Sequence, residues 1–215
     1  MDISHYTILI ADDHDMVRAG FRKIIEEAIP GINIIEASSH TQTIALARKV
    51  NRNLLVILDL NMPEGTGQQT IQHLKADNAD TKILVVSMYE EQQFGIRMIK
   101  AGADGYISKS ANAEEFIKAI KKVGAGKKYI TGSLAELLAE TATSTGKPAT
   151  LQDLLSEIEF QVFCLIAKGK TVSEIAADLN LSVKTISTYR SKIIEKTGLK
   201  NNSEIMLYAL QNKII

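Results

Sequence analysis

The chain has 215 residues, 45% of them hydrophobic and 23% charged, with 25 basic side chains against 25 acidic ones. That composition supports a packed core in one large or two small domains and excludes a disordered polyelectrolyte. Zero net charge excludes indiscriminate polyanion binding, so any nucleic-acid surface has to be local.

No apolar run approaches the roughly 20 residues that a bilayer span needs, and "MDISHYTILI" lacks the basic start and cleavage site of a secretory signal. Cys164 is the only cysteine, which rules out an intramolecular disulfide or a cysteine-based zinc site. A reducing, cytoplasmic setting without membrane attachment is expected. Cys164 lies in the apolar run "VFCLIAKG" and reads as a small core residue.

From Tyr6 to about Val123, short β-rich runs alternate with amphipathic stretches. The runs are "TILIA" (7–11), "INIIEA" (32–37), "LLVILDL" (54–60), "KILVVSM" (82–88) and "GYIS" (105–108). Helices are expected near 15–28, 41–50, 67–76, 90–101 and 112–123. Five strand-then-helix units predict an α/β fold, a parallel sheet covered by helices on both faces. Right-handed crossovers then bring every strand's C-terminal end to one edge, where such sheets bind ligands.

That edge collects chemistry. Asp12 and Asp13 end the first strand and Asp59 the third, a set of oxygen donors suited to a hard cation such as Mg²⁺. Acids at strand ends also occur simply solvated or as helix caps, and Asp15, in a helix's first turn, is read that way. Ser87 ends the fourth strand with a small hydroxyl, and Lys109 follows the fifth with an ammonium suited to phosphate or carboxylate. A carboxylate there can itself be a nucleophile, forming an aspartyl phosphate.

"ADDHDMVRAG", "LVILDLNMPEGTG", "ILVVSM" and "AGADGYISKS" together resemble the receiver domain of bacterial two-component response regulators, over roughly residues 5–125. The resemblance implies a CheY-like doubly wound sheet of five strands. It implies that Asp59 accepts a phosphoryl group from a histidine kinase, and that Asp12, Asp13, Asp59 and the main-chain carbonyl of Asn61 bind Mg²⁺. Ser87 would be the switch hydroxyl, Tyr106 the switch aromatic and Lys109 the phosphate-binding lysine. By position alone, Tyr106 reads as plain core, and only the resemblance makes it a switch. His14 is taken as a helix-start residue and not a ligand. Three positions depart from the family pattern: Asp15 and Ser110 stand where proline is usual, and Met88 where alanine is common. A cis bond retained before Ser110 would cost about 3 kcal/mol, and Met88 would narrow access to the phosphate.

After Lys128 the pattern changes. "SLAELLAETA" (133–142) reads as a short helix, "TSTGKPAT" (143–150) as a polar linker, and everything from Leu151 onward as helical. Capping boxes stand at 156–159 and 171–174, with an asparagine variant at 201–204. The expected organisation is a receiver at 1–125, a connector at 126–150 and an all-α helix-turn-helix domain at 151–215.

Helices 171–179 and 182–197 are joined by only Asn180 and Leu181, a helix-turn-helix spacing, with Ile175, Leu179, Leu181, Ile186 and Ile193 as a small core. Lys184, Ser187, Thr188 and Ser191 share one polar stripe. Residues 182–200 carry five basic groups against Glu195 alone, a footprint that fits DNA and also an ordinary solvated face. Residues 154–215 resemble the LuxR/FixJ-type DNA-binding domain, so the whole chain resembles a NarL/FixJ-family response regulator. That implies base contacts from Lys184, Ser187, Thr188 and Ser191 near Thr185, phosphate contacts from Arg190, Lys192 and Thr171, double-stranded DNA as partner, and a homodimer. The family pairs its subunits through the last helix, here about 202–211, where Ile205, Met206, Tyr208 and Leu210 fit either that contact or the core. Ile158 and Gln161 replace the family's usual arginine and second glutamate, so an intradomain salt bridge is expected to be missing. Tyr189 stands where a histidine is usual.

The reading is a phosphorylation-switched transcription factor and not an enzyme. A Mg²⁺-dependent phosphohydrolase would need an acid/base carboxylate two residues after its nucleophile, where this chain has Asn61. A module whose helical half binds protein is the other alternative, disfavoured by the basic stripe.

Overall fold

The computed structural model describes residues 3, 5–50, 52–89, 91–143, 154–212 and 214–215. The chain divides into two compact units, Met1–Glu140 and Thr141–Ile215. In the first, strands β1 (Thr7–Ala11), β2 (Asn33–Ala37), β3 (Leu54–Leu58), β4 (Lys82–Ser87) and β5 (Gly105–Ser108) alternate with helices. The helices are α1 (Asp15–Ala28), α2 (His40–Ala47), α3 (Gly67–Asp77), α4 (Glu91–Ala101) and α5 (Ala113–Gly124), followed by α6 (Gly132–Thr143).

All pairings are parallel, in the order β2-β1-β3-β4-β5. β3 is buried at every residue, as its unbroken apolar run requires when helices cover both faces. Alternate side chains go to opposite sides. Ile8, Ile10, Leu55, Ile57, Leu84 and Val86 join one cluster with Ile25 of α1 and Phe116 and Ile120 of α5. The Phe21 and Phe116 rings stack 4.7 Å apart and tie α1 to α5. Helices α2, α3 and α4 cover the other face, burying Ile71, Leu74, Phe94 and Met98.

The third strand stops at Leu58, two residues short of expectation, because Asp59 and Leu60 already turn toward the loop; Asp59 N–H still donates to the Ala11 carbonyl at 2.8 Å. Helix α2 begins one residue early and ends three early. Among the described residues no peptide bond is cis, so the bond before Ser110 is trans.

At the opposite edge of the sheet, Asp104 takes Lys75 Nζ at 2.8 Å, Lys128 Nζ at 3.0 Å and the Ile83 N–H at 3.0 Å. Burial works to raise its pKa, but those partners hold the carboxyl below its ordinary range. Beyond α5 the chain runs beside β5: Tyr129 N–H donates to Asp104 O (2.9 Å) and Tyr106 N–H to Tyr129 O (3.1 Å). Thr131 then bonds the Glu91 carboxylate at the head of α4 through N–H (3.2 Å) and Oγ1 (2.5 Å). Leu134 of α6 is buried against Gly95, where an added Cβ would come within 2.9 Å of it.

The second unit holds α7 (Glu157–Ala167), α8 (Val172–Asp178), α9 (Val183–Thr197) and α10 (Asn202–Gln211). Both expected capping boxes form, Ser156 with Glu159 and Thr171 with Glu174, and Asn201 caps α10 through the Glu204 N–H. Phe160, Phe163, Ile175, Ile186, Ile193 and Ile205 fill the core. Asn180 adopts the left-handed backbone that the tight turn needs, φ 51°. Leu181 does not join the core. It is 36% exposed, because the turn that redirects the chain carries it outward. Ile158 and Gln161 form no ion pair, but another one ties α7 to α9: Lys196 Nζ meets Glu159 Oε2 at 2.6 Å, so Glu159 serves both cap and ion pair. Of the linker expected at 143–150, Thr143 still belongs to α6; the rest of it, 144–150, and the start of the helical half at 151–153 lie outside the described residues.

Candidate functional site

Three strand ends build the acidic corner. Asp12 follows β1, Asp59 follows β3, and Lys109 follows β5 with its N–H on the Ser87 carbonyl at 2.8 Å. Asp12 is 1% exposed and Asp59 3%, so both carboxylates have left water. Between them, Lys109 Nζ lies 2.6 Å from Asp12 Oδ2 and 2.8 Å from Asp59 Oδ2. Burial pushes the Asp59 carboxyl above the usual carboxylate range; Lys109 opposes that and Asp12 adds to it. Burial alone would lower the Lys109 pKa, but the two acids hold it above its ordinary value, so it stays an ammonium.

Asp13 sits at the rim, more exposed, with His14 Nδ1 2.7 Å from its Oδ1 and 3.2 Å from Asp12 Oδ1. His14 starts α1 as expected, but its ring leans into the acids and makes no cap. One ligand atom from each of Asp12, Asp13, His14 and Asp59 falls within 4.8 Å of every other. Asp12 Oδ2 is buried, with the Lys109 ammonium as its ion-pair partner and no other polar group on it. Two buried carboxylates that share a single cation, with a third carboxylate at the rim, fit a divalent ion.

Ser87 and Tyr106 are wholly buried. Ser87 Oγ accepts the Tyr89 N–H at 3.2 Å, and the Tyr106 hydroxyl reaches both Ser87 and the Tyr89 carbonyl, the latter at 2.8 Å. Burial pushes the Tyr106 phenol far above its usual pKa, so it remains a neutral donor. Core residue and hydroxyl partner of Ser87 are here one side chain. Met88 is 75% exposed, and Asp15 pairs with Arg18 at the surface. Two residues went unread in the sequence. Arg18 Nη1 donates to the Asp12 carbonyl at 2.7 Å while its Nε meets Glu36, and its spacing three residues after Asp15 was the available signal. His40 lies under the loop after Asp59.

In the helical unit, Lys184, Ser187, Thr188, Ser191 and Lys192 are exposed along α9, and Thr185 is half-buried beside the Ser182 cap. The hydroxyls of Ser187, Thr188 and Ser191 donate to carbonyls four residues back, at 2.9, 3.0 and 3.1 Å, leaving their oxygens outward as acceptors. Arg190 Nε is held by Asn202 Oδ1 at 2.7 Å. Thr171 spends its hydroxyl on its capping box. On α10, Ile205 is core, Tyr208 half-buried, and Met206 and Leu210 exposed.

Sheet, acidic corner and helix-turn-helix together define a DNA-binding response regulator of the two-component kind. Residues 8–121 match the response regulator receiver domain and residues 153–209 the luxR family of bacterial regulatory proteins, and the chain belongs to the response regulators that join these two domains. It is 34% identical to the response regulator GacA of Pseudomonas aeruginosa, covering 97% of each chain. It is 32% identical to the response regulator UvrY of Escherichia coli K12, over 95% of this chain and 94% of that one. Among solved structures, RcsB of Salmonella typhimurium aligns over 94% of this chain and 98% of its own, with 29% identity and a TM-score of 0.59. RcsB bound to promoter rprA in the presence of phosphomimetic BeF₃⁻ aligns with a TM-score of 0.60, at 28% identity, over 94% of this chain and 97% of its own. Among the described residues no helix is long and apolar enough to cross a membrane.

Proposed function

We propose that Asp59 accepts a phosphoryl group from a histidine kinase and that this mark controls DNA binding by α9. The observation that carries the reading is the Lys109 ammonium lodged between two buried carboxylates, 2.6 and 2.8 Å away, at the carboxyl edge of a parallel sheet. A carboxylate oxygen of Asp59 attacks phosphorus as the bond to the kinase's histidine nitrogen breaks. That nitrogen leaves with the bonding electrons, and Asp59 becomes an acyl phosphate. Asp12, Asp13, Asp59 and the Asn61 main-chain carbonyl would hold Mg²⁺, which when bound neutralises charge on the transferring group. Lys109 moves its charge from carboxylate to phosphoryl oxygen. Ser87, freed from the Tyr89 N–H, donates its hydroxyl to the same group, and Tyr106 follows within the space it leaves. The chain is a recipient and not an enzyme, because Asn61 stands where a phosphohydrolase would need a proton-carrying acid.

In the same reading, Lys184, Ser187, Thr188 and Ser191, with Thr185, meet base edges while Arg190 and Lys192 hold phosphates of double-stranded DNA; Thr171, whose N–H and hydroxyl both bond Glu174, caps α8 instead. The active form is a cytoplasmic homodimer on paired half-sites. Incubation with Mg²⁺ and acetyl phosphate, followed by mass mapping, tests the first step. The wild-type chain gains one acid-stable, base-labile phosphate on Asp59, and Asp59→Asn gains none; equal labelling of both defeats the assignment.

A further inference from the structure

Arg18 is the fourth residue of α1, and only 13% of its side chain is exposed. Every nitrogen of its guanidinium has a partner. Nη1 donates to the Asp12 carbonyl at 2.7 Å, Nε to Glu36 of β2 at 3.2 Å, and Nη2 to Asp15. Glu36 is held from its other side by Arg22 Nε at 2.6 Å. A planar fork fastened at three corners presents its donors in one fixed geometry.

The carbonyl it holds belongs to the peptide between two acids of the corner. Asp12 N–H donates to the Ala37 carbonyl at 3.1 Å, the last rung between β1 and β2. There the backbone leaves the sheet, and among the described residues no main-chain N–H reaches the Asp12 carbonyl. Arg18 supplies the donor that the sheet no longer does, at a residue 1% exposed, where an unpaired carbonyl is costly. The six atoms of a peptide are coplanar, so fixing this oxygen fixes the plane joining Asp12 to Asp13. The turn that follows is closed by the His14 N–H, which donates to Asp12 Oδ1 at 2.9 Å and leaves Oδ2 on Lys109. Ligand atoms of Asp12, Asp13 and Asp59 then lie within 4.8 Å of one another.

We propose that Arg18 is a positioning residue for the divalent-cation site: by holding the Asp12 carbonyl it sets the turn that gathers the Asp12 and Asp13 carboxylates for one ion. The inference rests on the reading of the acidic corner above. Groups that orient ligands affect metal affinity without touching the ion. Charge alone acts in the opposite direction, because a guanidinium beside the corner repels a cation. The sign of the effect on removing Arg18 therefore separates the two roles.

The test uses the full-length chain as wild type, Arg18→Ala, Arg18→Lys and Arg22→Ala, each checked for folding by urea titration. Arg22→Ala removes a positive charge and a Glu36 partner but takes no contact from Asp12. Mg²⁺ affinity is read by calorimetry, and exchange of the His14 amide is read without metal. Arg18→Ala is expected to weaken Mg²⁺ binding about 10-fold and to speed His14 exchange by a similar factor. Arg22→Ala stays within about 2-fold of wild type on both. If Arg18→Ala does not fold, Arg18→Lys takes its place; it keeps the charge, loses the fork and should weaken Mg²⁺ binding about 3-fold. Mg²⁺ binding unchanged or tighter without the Arg18 fork, or His14 exchange unchanged, overturns the assignment. Equal losses in the Arg18 variant and Arg22→Ala overturn it as a general loosening of α1. A wild-type chain that binds Mg²⁺ yet gains no label from acetyl phosphate overturns the phosphoacceptor reading instead, with affinity and exchange still deciding what Arg18 does.

Discussion

The receiver and the helical unit keep their working residues under opposite conditions. Asp12, Asp59, Ser87 and Tyr106 are drawn from four strand regions and removed from water, whereas Lys184, Ser187, Thr188, Ser191 and Lys192 come from one helix and stay in it. Covalent chemistry on a carboxylate gains from a low-dielectric site where each charge is felt strongly. Contact with a polyanion requires charge that remains exposed and adjustable. The first arrangement costs stability unless every charge is answered, and the second costs almost none.

That contrast can be broken first at Lys109. Replacing it with Ala leaves two buried carboxylates facing each other and should lower the unfolding free energy by about 3 kcal/mol. Urea titrations with and without Mg²⁺ check this, with part of the loss recovered by the ion. A loss below about 1 kcal/mol would mean the corner is wetter than its burial indicates.

A smaller effect, about 2 kcal/mol, is expected for Asp104→Asn, which strips Lys75 and Lys128 of their carboxylate partner at the other edge of the sheet from the acidic corner. The folded Asp104 carboxyl has a lowered pKa, so its contribution is complete above the unfolded carboxylate's pKa, near 4. It fades as pH falls through the folded value. The stability gap between wild type and variant should therefore be full at pH 7 and close in acid, as denaturation across pH would record.

Least of all, Lys192→Ala on α9 should change stability by no more than about 0.5 kcal/mol. It should nonetheless weaken DNA binding for all sequences alike and reduce the salt slope by about one. Fluorescence anisotropy at several salt concentrations separates these. A stability loss comparable to that at Asp104 would erase the contrast between the two units.

How much of this could be read from residues alone followed the same divide. β3 and β4 announce themselves as unbroken apolar runs, and the meeting of Asp12, Asp59 and Ser87 follows from strand order, because parallel topology forces distant ends together. The capping boxes at Ser156 and Thr171 are local and appear where their spacing puts them. What escaped depends on neighbours remote in the chain. His40 is an unremarkable helix start until Gly65 and Thr70 close around it, and Glu159 meets Lys196 across 37 positions. Leu181 looks like core by composition, yet the two-residue turn sends it outward.

The backbone bridge at Tyr129 has a practical consequence. Strand β5 borders the sheet, and a bare border invites a strand from another molecule. The chain's own next segment occupies part of that border through the Asp104 and Tyr106 main-chain bonds. A receiver fragment trimmed before Tyr129 would uncover it and should self-associate at high concentration, while one carried past Leu134 would keep it sealed.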